Sequence, residues 1–115
     1  MKIEFKDLPN NDMTYMGITS DMVKSVIIDD VTVGIVYLTE SSEPNTIYIE
    51  WLEFLSVFRS KHLLRPVMDQ LTKDFGVLNF ESQDDLVKKY KAIGAIEGSY
   101  DEDTEMHSWQ YAIEW

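Results

Sequence analysis

Two short runs near the start of the chain are rich in β-branched residues. They cover residues 24–28 and 31–37, and Asp29 and Asp30 stand between them. Two such runs joined by two turn-forming residues predict a β-hairpin with a tight acidic turn. A third run over residues 46–55 combines aromatic and β-branched side chains and predicts a long strand. Its alternation of apolar and polar positions is imperfect, which indicates a bulge or burial on both faces.

The apolar spacing changes to three and four residues in the middle of the chain. Over residues 63–75 this spacing predicts an amphipathic helix, which Gly76 ends. Pro66 fits only in the first turn of that helix. The remaining elements predicted are a strand over residues 77–80, a helix over 84–93, a strand over 95–98, an acidic loop over 100–105 and a last strand over 106–115. This order, without an internal boundary, predicts one α/β domain over residues 1–115.

The composition agrees with an ordinary globular domain. Of the 115 residues, 44% are hydrophobic and 27% are charged, which argues against disorder. The chain has no cysteine, so disulfides, thiolate metal sites and cysteine nucleophiles are excluded. No apolar stretch approaches the roughly 20 residues that cross a bilayer, and the first ten residues lack a signal-peptide core. We therefore expect a cytoplasmic protein that does not bind membranes. We expect it to be a monomer or a homodimer.

The charge is unevenly distributed along the chain. The net charge is −11, which disfavours direct binding to nucleic acids. Residues 58–91 nevertheless carry seven basic and five acidic side chains, whereas the segments before and after them are strongly acidic. Two interpretations stay open: the cations belong to solvated helix faces, or they form an anion site.

Three of these cations stand where the long strand leads into the first helix. They are Arg59, Lys61 and Arg65. The start of a helix presents unpaired backbone N–H groups and the positive end of the helix dipole. The combination predicts a cradle for an anion such as a pyrophosphate.

At this junction the chain resembles the GNAT superfamily of acyl-CoA-dependent N-acetyltransferases. In that superfamily a hydrophobic strand ending L-x-V leads through a loop R/Q-x-x-G-x-G/A into a helix. Here Leu52-Glu53-Phe54 is followed, five residues after Phe54, by Arg59. A helix with a tyrosine four residues before a glycine is a second similarity, carried by Tyr90 and Gly94.

The resemblance covers about residues 23–115 and implies a fold. It implies an α/β domain of GNAT-like acyl-CoA N-acyltransferase type, with a mixed central sheet and helices on both faces. The segment before Val23 looks too short for the usual strand and two acceptor-binding helices, so the N-terminal helical region is expected to be truncated.

The resemblance also implies roles for individual residues in an acetyl-CoA site. Tyr90 would protonate the departing thiolate as a general acid, and Glu50 or Glu53 would accept the proton of an attacking primary amine. The acidic surface favours a cationic small-molecule or peptide acceptor. The residues expected to hold acetyl-CoA are Phe54, Leu55 and Ser56 along the pantetheine arm, Arg59, Ser60, Lys61, His62, Leu63, Leu64 and Arg65 around the pyrophosphate, and Gln83 where the family has an asparagine.

The loop departs from the family pattern at two positions. His62 and Leu64 stand where the family has glycines, whose missing Cβ lets backbone amides approach phosphate. The side chain of Leu64 either turns into the core or fills the phosphate space. The alternative function is therefore a non-catalytic GNAT-like acidic protein with a decayed CoA site, which binds a basic protein partner or mimics nucleic acid as phage anti-defence proteins do. A third possible function is that of a sensor that binds CoA without turnover.

No metal site is expected. Asp101, Asp103 and Glu105 alternate as calcium ligands do, but Met106 stands at the position that needs glycine. Two histidines are too few for a histidine metal cluster.

Overall fold

The computed structural model describes residues 1–8, 14–15, 18–59 and 61–113. The strands are β1 (Ile3–Asp7), β2 (Thr14–Tyr15), β3 (Ile18–Thr19), β4 (Met22–Ile28), β5 (Val31–Glu40), β6 (Thr46–Phe54), β7 (Val77–Ser82), β8 (Ile96–Asp101) and β9 (Met106–Tyr111). The helices are α1 (Leu64–Phe75) and α2 (Val87–Ala92), and single 3₁₀ turns cover Ser56–Phe58 and Asp84–Leu86.

Seven of the strands form one mixed sheet in the order β1, β4, β5, β6, β7, β9, β8. Among the described residues, β6 and β7 are the one parallel pair of this sheet, and α1 connects them. β2 and β3 pair with each other in a separate two-stranded ribbon. The mixed α/β sheet expected from the sequence is confirmed.

The predicted hairpin is formed by β4 and β5. Asp29 and Asp30 have φ values of 48° and 68°, the left-handed backbone that a two-residue type I′ turn requires. The sequence analysis assigned no strand to the first residues, yet β1 pairs with β4 along its whole length. Phe5 of β1 packs toward the core, with its ring 6.3 Å from that of Phe75 at the end of α1.

Both described helices cover the same face of the sheet. The hydroxyl of Tyr111 on β9 donates a hydrogen bond to Asp69 of α1. Tyr90 of α2 packs on Phe80 of β7 and on Trp109 of β9. Because Trp109 lies two residues before Tyr111, both side chains point to the same face of the sheet. Among the described residues, no helix lies on the second face, where the resemblance implied helices; the described residues between β1 and β4 include the short strands β2 and β3.

Most other predicted elements are confirmed with shifted ends. α1 begins one residue later than predicted and ends before Gly76, whose φ is 101°. The second helix is divided into a 3₁₀ turn and the six residues of α2. β8 continues to Asp101, so the acidic loop is shorter than predicted. The last strand ends at Tyr111 instead of residue 115, and residues 114–115 lie outside the described residues. No helix in the described ranges is long and apolar enough to cross a membrane.

Candidate functional site

A cleft opens where the two parallel strands of the sheet separate. β6 and β7 pair through residues 46–48 and 77–79 alone among the described residues. Beyond this point β6 continues beside β5 to Phe54, and β7 continues beside β9 to Ser82. The gap between the diverging strands has a volume of about 540 Å³.

The walls of this cleft come from both strands and both helices. Residues 48–52 of β6 form one wall, and Met68 of α1 contributes to the lining. The facing wall includes Glu81 of β7, Gln83 just before the second 3₁₀ turn, and Tyr90 of α2. The strand predicted to carry a catalytic carboxylate and the helix predicted to carry the catalytic tyrosine therefore face each other.

Glu50 is the extra residue of a β-bulge in β6. Tyr37 of β5 pairs with Trp51, and the next residue of β5, Leu38, pairs with Ile49. Glu50 has no residue opposite it in this pairing, and it lines the cleft. The imperfect alternation of the sequence is thus confirmed as a bulge.

The bulge reverses which side chains of β6 face the core. Ile49 before it, and Leu52 and Phe54 after it, all contact the core under α1. Because residues alternate along a strand, Glu53 lies on the side opposite Leu52 and Phe54. Of the two predicted carboxylates, Glu50 lies in the cleft lining and Glu53 does not.

Arg59 is held against the end of β6. Its Nε donates a hydrogen bond of 3.0 Å to the carbonyl of Phe54, and its Nη2 lies 3.9 Å from Oε1 of Glu53. The N–H of Leu55 donates to the carbonyl of Val33 on β5. Two of the backbone groups expected to bind the pantetheine arm, the Phe54 carbonyl and the Leu55 N–H, are therefore already hydrogen-bonded within the chain.

The loop after Arg59 keeps a glycine-like backbone at His62. This residue is exposed and has a φ of 55°, in the left-handed region that glycine adopts without strain. The exposed Lys61 precedes it, and Ser60 lies outside the described residues. The histidine at the first glycine position thus leaves the loop with the conformation that a glycine there would favour.

The start of α1 leaves backbone donors uncapped. Leu63 occupies the N-cap position, and in the described part of the chain no side chain hydrogen-bonds to this end of the helix. Pro66 has no N–H, which leaves the N–H groups of Leu64 and the exposed Arg65 in the first turn. Leu63 and Leu64 are partly buried and pack against the core, so the side chain of Leu64 turns inward.

Tyr90 is packed between aromatic rings on the cleft wall. Its ring centroid lies 4.8 Å from that of Phe80 and 5.7 Å from that of Trp109, with both pairs tilted. Burial raises the pKa of Tyr90 above its ordinary value of 10. The hydroxyl therefore keeps its proton at neutral pH, as a general acid must.

Tyr48 and Glu81 line the cleft and were not singled out in the sequence. The hydroxyl of Tyr48 donates a hydrogen bond of 2.6 Å to Oε1 of Glu81, directly beyond the last pair of β6 and β7. Burial, followed by this hydrogen bond, raises the pKa of Tyr48. The two residues are 33 positions apart, and no spacing rule would have brought them together.

Several solved structures resemble this fold at low sequence identity. The Bacillus subtilis N-acetyltransferase YlbP, solved with coenzyme A, has a TM-score of 0.65 and 11% identity, and the match covers 96% of each chain. A spermidine N-acetyltransferase SpeG chimera from Vibrio cholerae and hSSAT has a TM-score of 0.65 and 9% identity over 96% of this chain and 94% of the other. A candidate streptothricin acetyltransferase from Bacillus anthracis, solved with acetyl coenzyme A, has a TM-score of 0.58 and 15% identity.

The match to the Bacillus anthracis protein covers 77% of this chain, which spans 60% of the length of that protein. No protein-family profile matches the sequence, and no curated protein matches it. The similarity is therefore one of overall fold, as the resemblance of the sequence motifs implied. The chain has the GNAT acetyltransferase fold.

Proposed function

We propose that the chain is an N-acetyltransferase that transfers an acetyl group from acetyl-CoA to a primary amine. The observation that carries the proposal is the cleft between β6 and β7, which has Glu50 on one wall and Tyr90 on the other. The fold alone does not establish the activity. The placement of an acid and a base on facing walls of the cleft adds a chemical argument to the argument from the fold.

The residues around the start of α1 fit the phosphates of acetyl-CoA. The uncapped N–H groups of Leu64 and Arg65 form an anion site with the helix dipole. Lys61 adds an exposed cation, and the inward turn of Leu64 keeps its side chain out of the phosphate space. The left-handed backbone of His62 lets the loop enter the helix as it would with glycine.

The thioester of acetyl-CoA supplies the acetyl group in activated form. The reaction then requires two proton transfers, one from the amine and one to the sulfur of CoA. Glu50 accepts a proton from the amine nitrogen as that nitrogen bonds to the acetyl carbon. Tyr90 gives its hydroxyl proton to the sulfur of CoA as the carbon–sulfur bond breaks. No covalent intermediate with the chain is needed.

The charge of the chain favours a cationic acceptor. The net charge is −11, while residues 58–91, which include the proposed phosphate loop, carry more basic than acidic groups. An amine with a further positive charge is attracted to the acidic remainder of the surface. Polyamines, aminoglycoside-like amines and basic peptides belong to this class.

One observation favours the second candidate function, a non-catalytic acidic protein that binds a basic partner. The guanidinium of Arg59, the loop cation expected at the phosphates, already contacts the carbonyl of Phe54 and the carboxylate of Glu53. If this engagement is permanent, the loop lacks one of its three cations for phosphate, and a partner of the acidic surface takes the place of acetyl-CoA.

Titration calorimetry with acetyl-CoA tests the proposal, with dephospho-CoA and ATP as comparison ligands. We expect micromolar binding, weakened by about 10-fold to 100-fold in Arg59→Ala, because a charge-assisted hydrogen bond contributes about 1.5 to 3 kcal/mol. Lys73→Ala, near the other end of α1, is the matched control and should bind normally. Absence of binding at millimolar acetyl-CoA would reject the enzyme and favour the acidic binding protein.

A further inference from the structure

We propose that His107 is a positioning residue for the catalytic wall of the cleft. As a doubly hydrogen-bonded imidazolium, it fixes the segment that begins at Gln83 and carries Tyr90. Loss of its proton releases that segment. The inference rests on the proposed function only for the chemical role of Tyr90. The effect of His107 protonation on the position of Tyr90 is measurable without turnover.

The geometry around His107 requires a charged ring. Nε2 contacts Oδ1 of Asp84, and Nδ1 contacts Oε2 of Glu97. A carboxylate only accepts hydrogen bonds, and a neutral imidazole has a single N–H to donate. Both contacts therefore exist together only while both ring nitrogens carry protons.

These contacts join three parts of the fold. His107 lies on β9, where it pairs with Ser82 at the end of β7, and Glu97 lies on β8. Asp84 is the first residue of the 3₁₀ turn that follows Gln83 and leads into α2. The imidazolium thus ties the entry of the helical segment to the β8 and β9 hairpin.

The helical segment depends on tertiary contacts for its position: Val87 and Tyr90 pack against the core, and the contact of Asp84 with His107 holds its entry. α2 has only six residues, and in the described part of the chain no side chain caps it or the preceding 3₁₀ turn. Helices of this length are not stable by themselves. Tyr90 reaches the cleft from the last turn of this segment, so the position of its hydroxyl depends on where the segment is held.

Charged and titratable groups surround the ring from every neighbouring element. Besides Asp84 and Glu97, Lys91 of α2 places Nζ 3.8 Å from Oε1 of Glu97, and the ring of Tyr100 lies 4.7 Å from the imidazole. Burial, followed by the charges of Asp84, Glu105 and Asp101, raises the pKa of Tyr100. The two carboxylates that contact the ring, those of Asp84 and Glu97, favour its charged form.

The direction of the pH effect follows from these groups. The hydrogen bond to Asp84 raises the pKa of His107 above its ordinary 6.5, burial opposes this rise, and Glu97 adds to it. Both contacts are complete below the ordinary pKa. As pH rises through the raised pKa, one of them is lost. Asp84 is the partner released, because its side chain is 77% exposed and readily hydrated, whereas that of Glu97 is 30% exposed.

Proton–carbon NMR of the imidazole rings between about pH 5 and pH 9 tests the proposal. The chain has two histidines, so the His107→Gln spectrum assigns the signals. We expect the His107 midpoint to lie above 6.5 and the ring signals of Tyr90, assigned through Tyr90→Phe, to change with the same midpoint. Asp84→Asn should lower both midpoints together. Asp85→Asn, one residue further on, should lower them much less.

Two results would overturn the proposal: a His107 midpoint that is the same in Asp84→Asn as in the wild type, or Tyr90 signals that do not change as His107 titrates. If Asp84→Asn does not fold, Glu97→Gln replaces it, with the same expectation of a lowered midpoint. If both rings respond as expected but no amine is acetylated at any pH, the proposed function fails while the positioning role of His107 stands.

Discussion

The hydroxyl of Tyr48 is hydrogen-bonded to the carboxylate of Glu81 at 2.6 Å, across the point where β6 and β7 part. Tyr48 belongs to the last residue pair of the two strands, and Glu81 stands two residues beyond that pair on β7. The bond therefore closes the narrow end of the cleft with side chains where the backbone pairing stops.

Tyr48→Phe should lower the free energy of unfolding by about 1 kcal/mol, because it removes one hydrogen bond and keeps the half-buried ring. Urea denaturation measures this loss. The pKa of Tyr48 is raised above its ordinary 10 in the folded chain, so the bond contributes fully below pH 10 and is lost only as pH rises through the raised pKa. Tyr100→Phe, at an exposed position on β8, is the control and should change stability less. Equal losses in the two variants would show that the Tyr48 bond does not hold the strands.

Tyr90→Phe should lower the turnover number for acetyl transfer by about 100-fold or more and leave the dissociation constant of acetyl-CoA nearly unchanged. The ring contacts with Phe80 and Trp109 remain in this variant, and only the transferable proton is removed. Steady-state kinetics with a cationic amine, together with calorimetry, separate the two quantities. Tyr100→Phe serves again as the control, since its hydroxyl lies outside the cleft lining. Unchanged turnover in Tyr90→Phe would assign the general acid elsewhere.

Local patterns predicted most of the fold. The hairpin at Asp29 and Asp30 follows from turn chemistry, and α1 follows from its apolar spacing and from the glycine at its end. β1 was missed because a five-residue edge strand carries little periodic signal. The extension of β8 to Asp101 was missed because acidic residues favour a loop, while pairing with β9 holds them in a strand.

The candidate site was predictable only in part. Placing Glu50 and Tyr90 on facing walls depended on the strand and helix order, which the sequence motifs provided. The choice between Glu50 and Glu53 needed the exact position of the bulge, which cross-strand pairing determines. The contacts of His107 with Asp84 and Glu97 arise from three elements that meet only in the folded chain.

The stability of the fold should depend on pH through His107. The pKa of His107 is raised in the folded chain, so its contribution to stability is complete below the ordinary 6.5 and is lost as pH rises through the raised pKa. Urea denaturation at a series of pH values should show the wild type losing stability over this interval. His107→Gln should lack that part of the dependence. Parallel curves for the two proteins would mean that the imidazolium does not stabilise the fold.

The backbone at His62 provides the sharpest test of the phosphate loop. A non-glycine residue with a φ of 55° is strained by about 1 to 2 kcal/mol. His62→Gly relieves this strain, and the greater freedom of glycine in the unfolded chain offsets part of the gain. We therefore expect stability within about 1 kcal/mol of the wild type, and acetyl-CoA binding that is equal or tighter because the Cβ no longer limits the approach of phosphate. His62→Val should lose both stability and affinity, since a β-branched residue tolerates this backbone poorly. If valine binds acetyl-CoA as well as glycine does, the ligand does not contact the backbone of the loop, and the proposed phosphate site is wrong.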